Sequence, residues 1–152
     1  MPLVSQLRAA GVTCPVIGQE GYDSQKFIEI AGPAAEGVII TTSLDRDSTV
    51  PETADFITAF EKQAGFKADM VAASAHTAIK VAADAIQRAG STDPAKVLAA
   101  LKQTDLKVST GTIQFNAIGE VMKAAQIQVV QDGNWHHYAV IDDPTLLAPP
   151  DK

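Results

Sequence analysis

A glutamate in a glycine-rich loop is the side chain best suited to ligand chemistry. Glu20 lies within Gly18-Gln19-Glu20-Gly21-Tyr22-Asp23, directly after a short apolar stretch that predicts a strand. Loops at the carboxyl ends of strands are preferred ligand sites in α/β proteins. On the residues alone, the pattern favours a solvated loop carboxylate over a ligand contact.

The other reactive side chains predict no catalysis. His136 and His137 are adjacent in a predicted strand, so we expect them to point to opposite faces, and no third zinc ligand lies nearby in the sequence. His76 is predicted to be a surface residue, and Cys14 a small buried apolar residue. The sequence has no nucleophile elbow, phosphate-binding loop or dinucleotide glycine pattern. We therefore expect no enzyme activity, no metal site and no cofactor.

The composition is that of an acidic, folded protein. The 152 residues are 46% hydrophobic and 20% charged, which is enough apolar material for a core. The formal net charge of -6 argues against a nucleic-acid partner, which needs clustered Lys and Arg. No apolar run approaches the roughly 20 residues of a membrane span. The first residues, Met1 to Ser5, lack the basic and apolar regions of a signal peptide.

The first third of the chain alternates helices and strands. We expect a helix over residues 3–10, a short buried strand over 14–18, and a helix that Asp23-Ser24 caps and Gly32 ends. The β-branched run over 37–42 predicts a second buried strand. This order is typical of a βαβ layer with a parallel sheet, and so of an α/β protein.

Three helices follow. Pro51 begins one that Gly65 ends, the longest covers about 69–89, and a short one follows Asp93-Pro94. The longest helix has a predicted buried stripe of small and apolar residues, namely Val71, Ala75, Ala78, Ala82 and Ile86.

The last part of the chain has the period of strands. Alternation over 112–115 and 127–130 predicts two strands, and Asp132-Gly133 predicts a hairpin into a third over 135–141. The residues from Asp143 onward, which include three prolines, predict an extended or disordered tail. These strands are too few to cover the preceding helices, so we expect a sheet supplied from elsewhere.

Several segments, in their order and spacing, resemble the second half of one family. The sequence is similar to periplasmic solute-binding proteins of the branched-chain amino-acid (leucine/isoleucine/valine-binding) ABC transporter family. The resemblance covers about residues 3–140. The segments that carry it are Gln6-Leu7-Arg8-Ala9-Ala10-Gly11, Pro15-Val16-Ile17-Gly18, Ala31-Gly32-Pro33-Ala34-Ala35-Glu36-Gly37-Val38, Ala82-Ala83-Asp84-Ala85-Ile86-Gln87-Arg88-Ala89-Gly90, Gly111-Thr112-Ile113-Gln114-Phe115 and Ile118-Gly119.

The resemblance implies a type I periplasmic-binding-protein-like fold. In that fold two α/β lobes with parallel-sheet layers are joined by three crossings and close on a solute by a hinge. It assigns residues 1–42 to the C-terminal lobe, 43–126 to the N-terminal lobe, and 127–141 to the C-terminal lobe again, with 142–152 as an extended tail. It also implies an incomplete two-lobed architecture, since the first half of the family is not matched.

The implied function is that of the solute-binding component of an ABC importer. Such a protein captures a small amino-acid-like or carboxylate solute and delivers it to a membrane permease, without catalysis. The implied partners are also the missing N-terminal half or a swapped copy of this chain. The implied location is the periplasm, with the signal peptide in the missing part. The alternatives are a ligand-sensing domain of a regulatory or signalling protein, a small flavodoxin-like enzyme, and a truncated fragment that binds nothing.

The resemblance also implies a solute site. Amino-acid-binding members place an acidic residue after this strand, against the solute ammonium, and Glu20 matches it. Gln19 and Tyr22 share its loop, where the tyrosine would stack on the solute or offer its hydroxyl. Ser43 would lie at a hinge crossing near the cleft, and Val71 matches a region where some members place an apolar residue against the solute.

Two positions depart from the family pattern. Members have Tyr-Asp-Ala in the longest helix, where this sequence has His76-Thr77-Ala78. The loop after Phe115 begins with Asn116 instead of Asp. Because the family's contacts to the solute carboxylate come mostly from its first half, the sequence leaves the identity of the solute open.

Overall fold

The computed structural model describes residues 2–147, which form helices and two sheets. The strands are β1 (Ile17–Gly18), β2 (Ile39–Thr42), β3 (Asp105–Val108), β4 (Gly111–Phe115), β5 (Val121–Met122), β6 (Ala125–Gln131) and β7 (Asn134–Ile141). The α-helices are α1 (Pro2–Ala9), α2 (Gln25–Ala31), α3 (Pro51–Ala64), α4 (Met70–Ala89), α5 (Pro94–Leu101) and α6 (Pro144–Leu147). Short 3-10 helices cover Glu20–Tyr22 and Gly32–Ala35.

We call the four-stranded sheet, with helices α1 and α2, the first body. Its strand order is β1-β2-β6-β7. Only β1 and β2 pair in parallel, whereas β2–β6 and β6–β7 are antiparallel. The sheet is therefore mixed rather than parallel as predicted, because the chain returns as β6 and folds straight back as β7. Asp132 and Gly133 make that turn with φ of 51° and 71°, the left-handed backbone of a tight hairpin, which confirms the hairpin prediction.

The core of the first body is closed. Phe27, Val38 and Ile40 are fully buried, and Trp135 is 3% exposed. The Phe27 ring stacks on Trp135 with ring centroids 5.9 Å apart. Ser24 begins α2 by accepting a hydrogen bond from the Phe27 N–H, which aims the phenylalanine into this core.

We call helices α3, α4 and α5 and the three-stranded sheet β3-β4-β5 the second body. Its helix ends follow the predicted signals: Pro51 begins α3, Gly65 ends it in a left-handed conformation, and Asp69 and Asp93 cap α4 and α5. Its buried apolar side chains form two small clusters. One contains Leu44, Phe56, Ala68 and Ala73, and the other contains Val81, Val108 and Ile113.

The predicted buried stripe of α4 is wrong. The buried residues of this helix are instead Ala73, Thr77, Val81 and Ala85. The reason is the hairpin β3–β4, whose first strand the sequence did not reveal and which packs on that other side: the Thr77 hydroxyl lies 3.0 Å from the Thr110 hydroxyl. The side left uncovered is named the open face of α4, and it comprises Val71, Ala75, Ala78, Ile79, Ala82 and Ile86.

Three further predictions need correction. Cys14 is exposed, and Ile17 is 73% exposed, because β1 has only two residues and lies at the edge of the sheet. The predicted tail begins with helix α6, which Asp143 caps, while residues 148–152 of that tail lie outside the described part. Across residues 2–147, no helix combines the length and the apolar character that crossing a membrane requires.

Candidate functional site

Glu20 lies at the carboxyl end of β1, where the chain enters a 3-10 helix. Its side chain is exposed. Its carboxylate acts on Lys123, which lies between β5 and β6: the attraction of Glu20 raises the pKa of that lysine, while burial of the lysine lowers it by more. Glu20 and Lys123 are therefore coupled through their charges.

Ser43 joins the same group. It follows β2 directly, and the Lys123 ammonium donates to its Oγ at 2.6 Å. Because β2 and β6 are paired with Thr42 opposite Gln126, the segments at these strand ends lie side by side. Lys123 thus contacts Ser43 and is attracted by the Glu20 carboxylate, and we call these three residues the charged group. Sequence reasoning missed Lys123, since nothing distinguishes a lysine before an apolar stretch from a solvated one.

Tyr22 packs into the first body. Its half-buried ring stacks on Phe27 with centroids 5.0 Å apart. It also lies flat over Gly18, where an added Cβ would stand 2.1 Å from the ring. Only glycine fits beneath the ring, so the glycine-rich loop serves this packing. Gln19, next in the chain, is exposed.

Val71 lies apart from the charged group. It stands in the first turn of α4 and is 65% exposed. The nearby hollow of about 370 Å³, to which Val71 contributes nothing, runs between α4 and the second sheet. Ser74 and Thr77 line it from α4, Phe115 and Val121 line it from the sheet, and Lys123 lies at its edge. The lysine therefore connects the charged group with the uncovered side of the second body.

A buried ion pair anchors the segment that leaves β2. Asp23, whose side chain is fully buried, accepts hydrogen bonds from Arg46 and from the Thr42 hydroxyl. The fully buried Gln128 of β6 donates to Asp45 at 3.0 Å. These bonds hold residues 42–46 against the first body. The chain therefore leaves for the second body from a segment whose position is fixed.

The adjacent histidines of β7 both reach the segment that follows β2. His136 Nδ1 lies 3.1 Å from Asp47 and His137 Nδ1 lies 3.0 Å from Asp45. The His137 N–H also donates to Asp47 at 2.8 Å. The segment lies along β7, which is an edge strand of the four-stranded sheet. Among the described residues, no cluster of three or more His, Cys, Asp or Glu side chains is arranged to hold a metal ion.

His76 is half-buried, so the prediction of a surface histidine is wrong. Its ring stacks on Phe56 with centroids 4.8 Å apart, and its Nδ1 lies 3.0 Å from the Ser109 hydroxyl. Burial lowers the pKa of His76, and the positive charge of Lys80 lowers it further. The residue therefore ties α4 to α3 and to the end of β3.

Comparison with known families decides the family of the chain. The sequence model of the periplasmic binding protein family matches residues 1–134. The chain belongs to this family. Its members are solute-binding proteins, and the fold described above is the type I-like fold of that family in part.

Individual relatives agree with this assignment. The leucine-, isoleucine-, valine-, threonine-, and alanine-binding protein of Pseudomonas aeruginosa is 30% identical over 121 residues, which are 78% of this chain and 32% of that protein. A Leu/Ile/Val-binding protein homolog of Brucella abortus is 27% identical over 90% of this chain and 38% of its own length. The chain thus spans about a third of the length of these relatives.

Solved structures show the same fold. The leucine-binding protein LivK of Thermotoga maritima is 27% identical, with a TM-score of 0.83 over 95% of this chain and 43% of that chain. The LivJ protein of Streptococcus pneumoniae, solved with isoleucine, is 20% identical with a TM-score of 0.81 and covers 91% of this chain and 40% of its own. A solute-binding protein of R. palustris solved with benzoate is 16% identical, with a TM-score of 0.80 over 91% of this chain and 39% of that chain.

Proposed function

We propose that this chain is part of the solute-binding component of an ABC importer and that it captures an amino-acid-like or carboxylate solute at the charged group. The observation that carries the proposal is the hydrogen bond from Lys123 to Ser43 at the segments that join the first and second bodies. The exposed Glu20 carboxylate at the end of β1 attracts the same lysine. The matched relatives are binding proteins for leucine and related amino acids by name, which supports this class of solute.

The two bodies correspond to parts of two lobes in this proposal. The first body belongs to the C-terminal lobe and the second body to the N-terminal lobe, with crossings at about residue 43 and at about residue 126. Support comes from the sheets, since the strands of the first body and those of the second form separate hydrogen-bonded sets. Closure of the lobes would then move α4, with Val71 in its first turn, toward Glu20.

The open face of α4 is where the rest of the N-terminal lobe would pack. Ile79 is 72% exposed and Val71 65% exposed, although both lie on a long regular helix. Exposed apolar faces of this kind seek a partner. The polypeptide that the relatives carry outside the matched region is the partner we propose, and a swapped copy of this chain is the other candidate.

Glu20 would accept the solute ammonium, with Gln19 beside it and the Tyr22 hydroxyl at the rim. The solute-loaded protein would then deliver its solute to a membrane permease from the periplasm, as proteins of this family do. Nothing in this scheme requires bond chemistry, because capture by closure is a binding equilibrium.

Native mass spectrometry tests the proposal most directly. We expect the purified chain to associate with the remaining portion of the Thermotoga maritima relative, and the complex to release an amino-acid or carboxylate solute when it is denatured. A chain that remains a bare monomer or a ligand-free homodimer in that mixture contradicts the proposal and favours a fragment that binds nothing.

The Glu20→Ala variant tests the site. In the complex, loss of the carboxylate should weaken the binding of an ammonium-bearing solute by about 1–3 kcal/mol, the range for removing a charged hydrogen-bond partner. Titration calorimetry measures the change. Glu29→Ala is the matched control, because Glu29 is an exposed glutamate of α2 that pairs with Lys26 on the surface. Equal affinities for wild type and Glu20→Ala would remove Glu20 from the site.

A further inference from the structure

A hollow of about 240 Å³ lies between the two bodies, and we call it the junction hollow. Strands β6 and β7 line it from the first body, and α3 and the turn between β3 and β4 line it from the second. The segment that joins β2 to α3 completes the wall. Five hydroxyl side chains face the hollow, namely Ser43, Ser48, Thr53, Ser109 and Thr110. Since a water molecule takes about 30 Å³ in the liquid, the hollow has room for a small organic molecule.

Part of this polar wall has no partner in the protein. Thr53 is only 5% exposed, yet its hydroxyl makes no hydrogen bond to another residue in the part of the chain that the structure describes. No fully buried side-chain oxygen or nitrogen in residues 2–147 lacks a partner, so this hydroxyl must reach the open space of the hollow. The amide of Gln126, on the wall from the first body, is likewise unpartnered among those residues. A hydroxyl and an amide both donate and accept, and both therefore favour a bound molecule that does the same.

The charges at the junction hollow favour a neutral molecule. The Asp45 carboxylate accepts hydrogen bonds from the Gln128 amide at 3.0 Å and from the Asp47 N–H at 3.1 Å, and it lies 3.0 Å from His137 Nδ1. This carboxylate is therefore already engaged within the chain. Within residues 2–147, no lysine or arginine lines the hollow. An anion would find no cation there and would face Asp45, whereas a neutral molecule avoids that repulsion and costs less to remove from water.

We propose that the junction hollow is a second binding site, which takes a small neutral polyhydroxy compound and holds it chiefly through Thr53 and Gln126. The site is distinct from the charged group, because neither Glu20 nor Lys123 lines the hollow. Ser43 borders both, but its oxygen already accepts from Lys123. Since Thr53 belongs to α3 and Gln126 to β6, a molecule bound to both residues bridges the two bodies. This inference goes beyond the proposed function, since it needs no amino-acid solute.

Erythritol is the probe, because it is neutral and each of its hydroxyls both donates and accepts. We expect it to shift the backbone NMR signals of residues 43–53, 109–111 and 126 of the purified chain, with saturation in the millimolar range. Erythronate, in which one end of the same carbon chain is a carboxylate, should bind at least about tenfold more weakly because it meets Asp45. Butane-1,4-diol lacks the two central hydroxyls and should bind about tenfold more weakly, since it loses their hydrogen bonds.

Variants at Thr53 then assign the binding to the hollow. Thr53→Val replaces the hydroxyl with a methyl group and should weaken erythritol binding by about three- to tenfold, the range for one lost hydrogen bond. Thr53→Ser keeps the hydroxyl and should retain most of the affinity. Gln126→Leu removes the amide from the other wall and should have an effect of similar size. Thr58→Val is the matched control, because Thr58 is an exposed threonine of the same helix. Circular dichroism melts establish that each variant is folded.

The outcomes separate this inference from the proposed function. Saturable shifts at the hollow that weaken in Thr53→Val and not in Thr58→Val support the second site. Shifts that are absent, that do not saturate, or that are equal in Thr53→Val and wild type overturn it, and the hollow then holds only water. Erythronate binding as tight as that of erythritol overturns the preference for a neutral molecule. The proposed function is tested by the amino-acid or carboxylate solute that the complex releases, so either statement can fail while the other stands.

Discussion

Ile40 and Ile79 are the same residue type in regular elements of one chain, yet Ile40 of β2 is fully buried and Ile79 of α4 is 72% exposed. The contrast extends to the bodies around them. The first body closes its core over Phe27 and Trp135, whereas the second body leaves a whole helix face uncovered. Two parts of one sequence thus differ in whether this chain alone completes them.

The two bodies derive their stability from different sources. A buried apolar side chain contributes in proportion to the area removed from water, so the first body derives stability from its own core. In the second body, helix caps and small clusters supply order, and the open face of α4 contributes nothing until something covers it. Interaction with a covering partner should therefore stabilise the second body more than the first.

The largest expected effect is the loss of a core isoleucine. Ile40→Ala should lower the free energy of unfolding by about 2–5 kcal/mol, because it removes packed atoms and leaves a cavity. Ile79→Ala should change it by no more than about 0.5 kcal/mol, as surface substitutions do. Urea unfolding measures both, with fluorescence of Trp135, the single tryptophan, reporting on the first body and circular dichroism on the helices of the second.

Addition of the complementary polypeptide should change the stability cost of one of these two variants and leave the other unchanged. The cost of Ile79→Ala should then rise toward that of a buried residue, while the cost of Ile40→Ala stays the same. Equal costs for the two variants in the chain alone would mean that α4 is already covered, for example by a second copy, and the contrast between the bodies would be lost.

A smaller effect is expected at the ion pair that anchors the junction. Asp23→Asn deprives Arg46 of its buried carboxylate, which should cost about 1–3 kcal/mol. Asp84→Asn is the matched change in the second body, where Asp84 pairs with Arg88 on a partly exposed helix surface, and it should cost about 0.3–0.5 kcal/mol. Urea midpoints at constant slope give both values. Similar losses would show that the junction is no better buried than the helix surface.

The sequence predicts those parts of the fold that local chemistry determines. Asp132-Gly133 specifies a tight hairpin, and Pro51 and Gly65 mark the ends of α3. The buried side of α4 was missed because alanine occupies both sides of this helix, and the choice is made by a hairpin distant in the chain. Local periodicity holds no information on that contact.

The candidate site shows the same division. A carboxylate at a strand end was visible in the sequence at Glu20, and Ser43 followed from the family resemblance. The lysine between them was not visible, because Lys123 meets Ser43 only through the pairing of β2 with β6, 80 residues apart along the chain. The contacts of the β7 histidines with Asp47 and Asp45 were not visible for the same reason, because they join residues 89 and 92 positions apart along the chain.

The smallest expected effect is a pH dependence confined to the second body. Burial lowers the pKa of His76 below its ordinary value of about 6.5, so the unfolded chain binds this proton more readily than the folded one. Its contribution to stability is complete above that ordinary value and is lost as the pH falls through the lowered pKa. Charged residues facing the same hollow are Glu52, Asp55, Lys80 and Lys107.

Substitution of His76 separates its contribution to the pH dependence of stability from that of the other titrating groups. The urea midpoint reported by circular dichroism should fall between pH 7.5 and pH 5.5 by more in wild type than in His76→Gln, since the variant has no proton to take up at this position. The change should be smaller than that of Asp23→Asn, because the ring is only half-buried beside Phe56. The Trp135 signal should respond equally in both proteins, because His76 belongs to the second body. A fall of the same size in the variant would show that groups other than His76 cause the pH dependence.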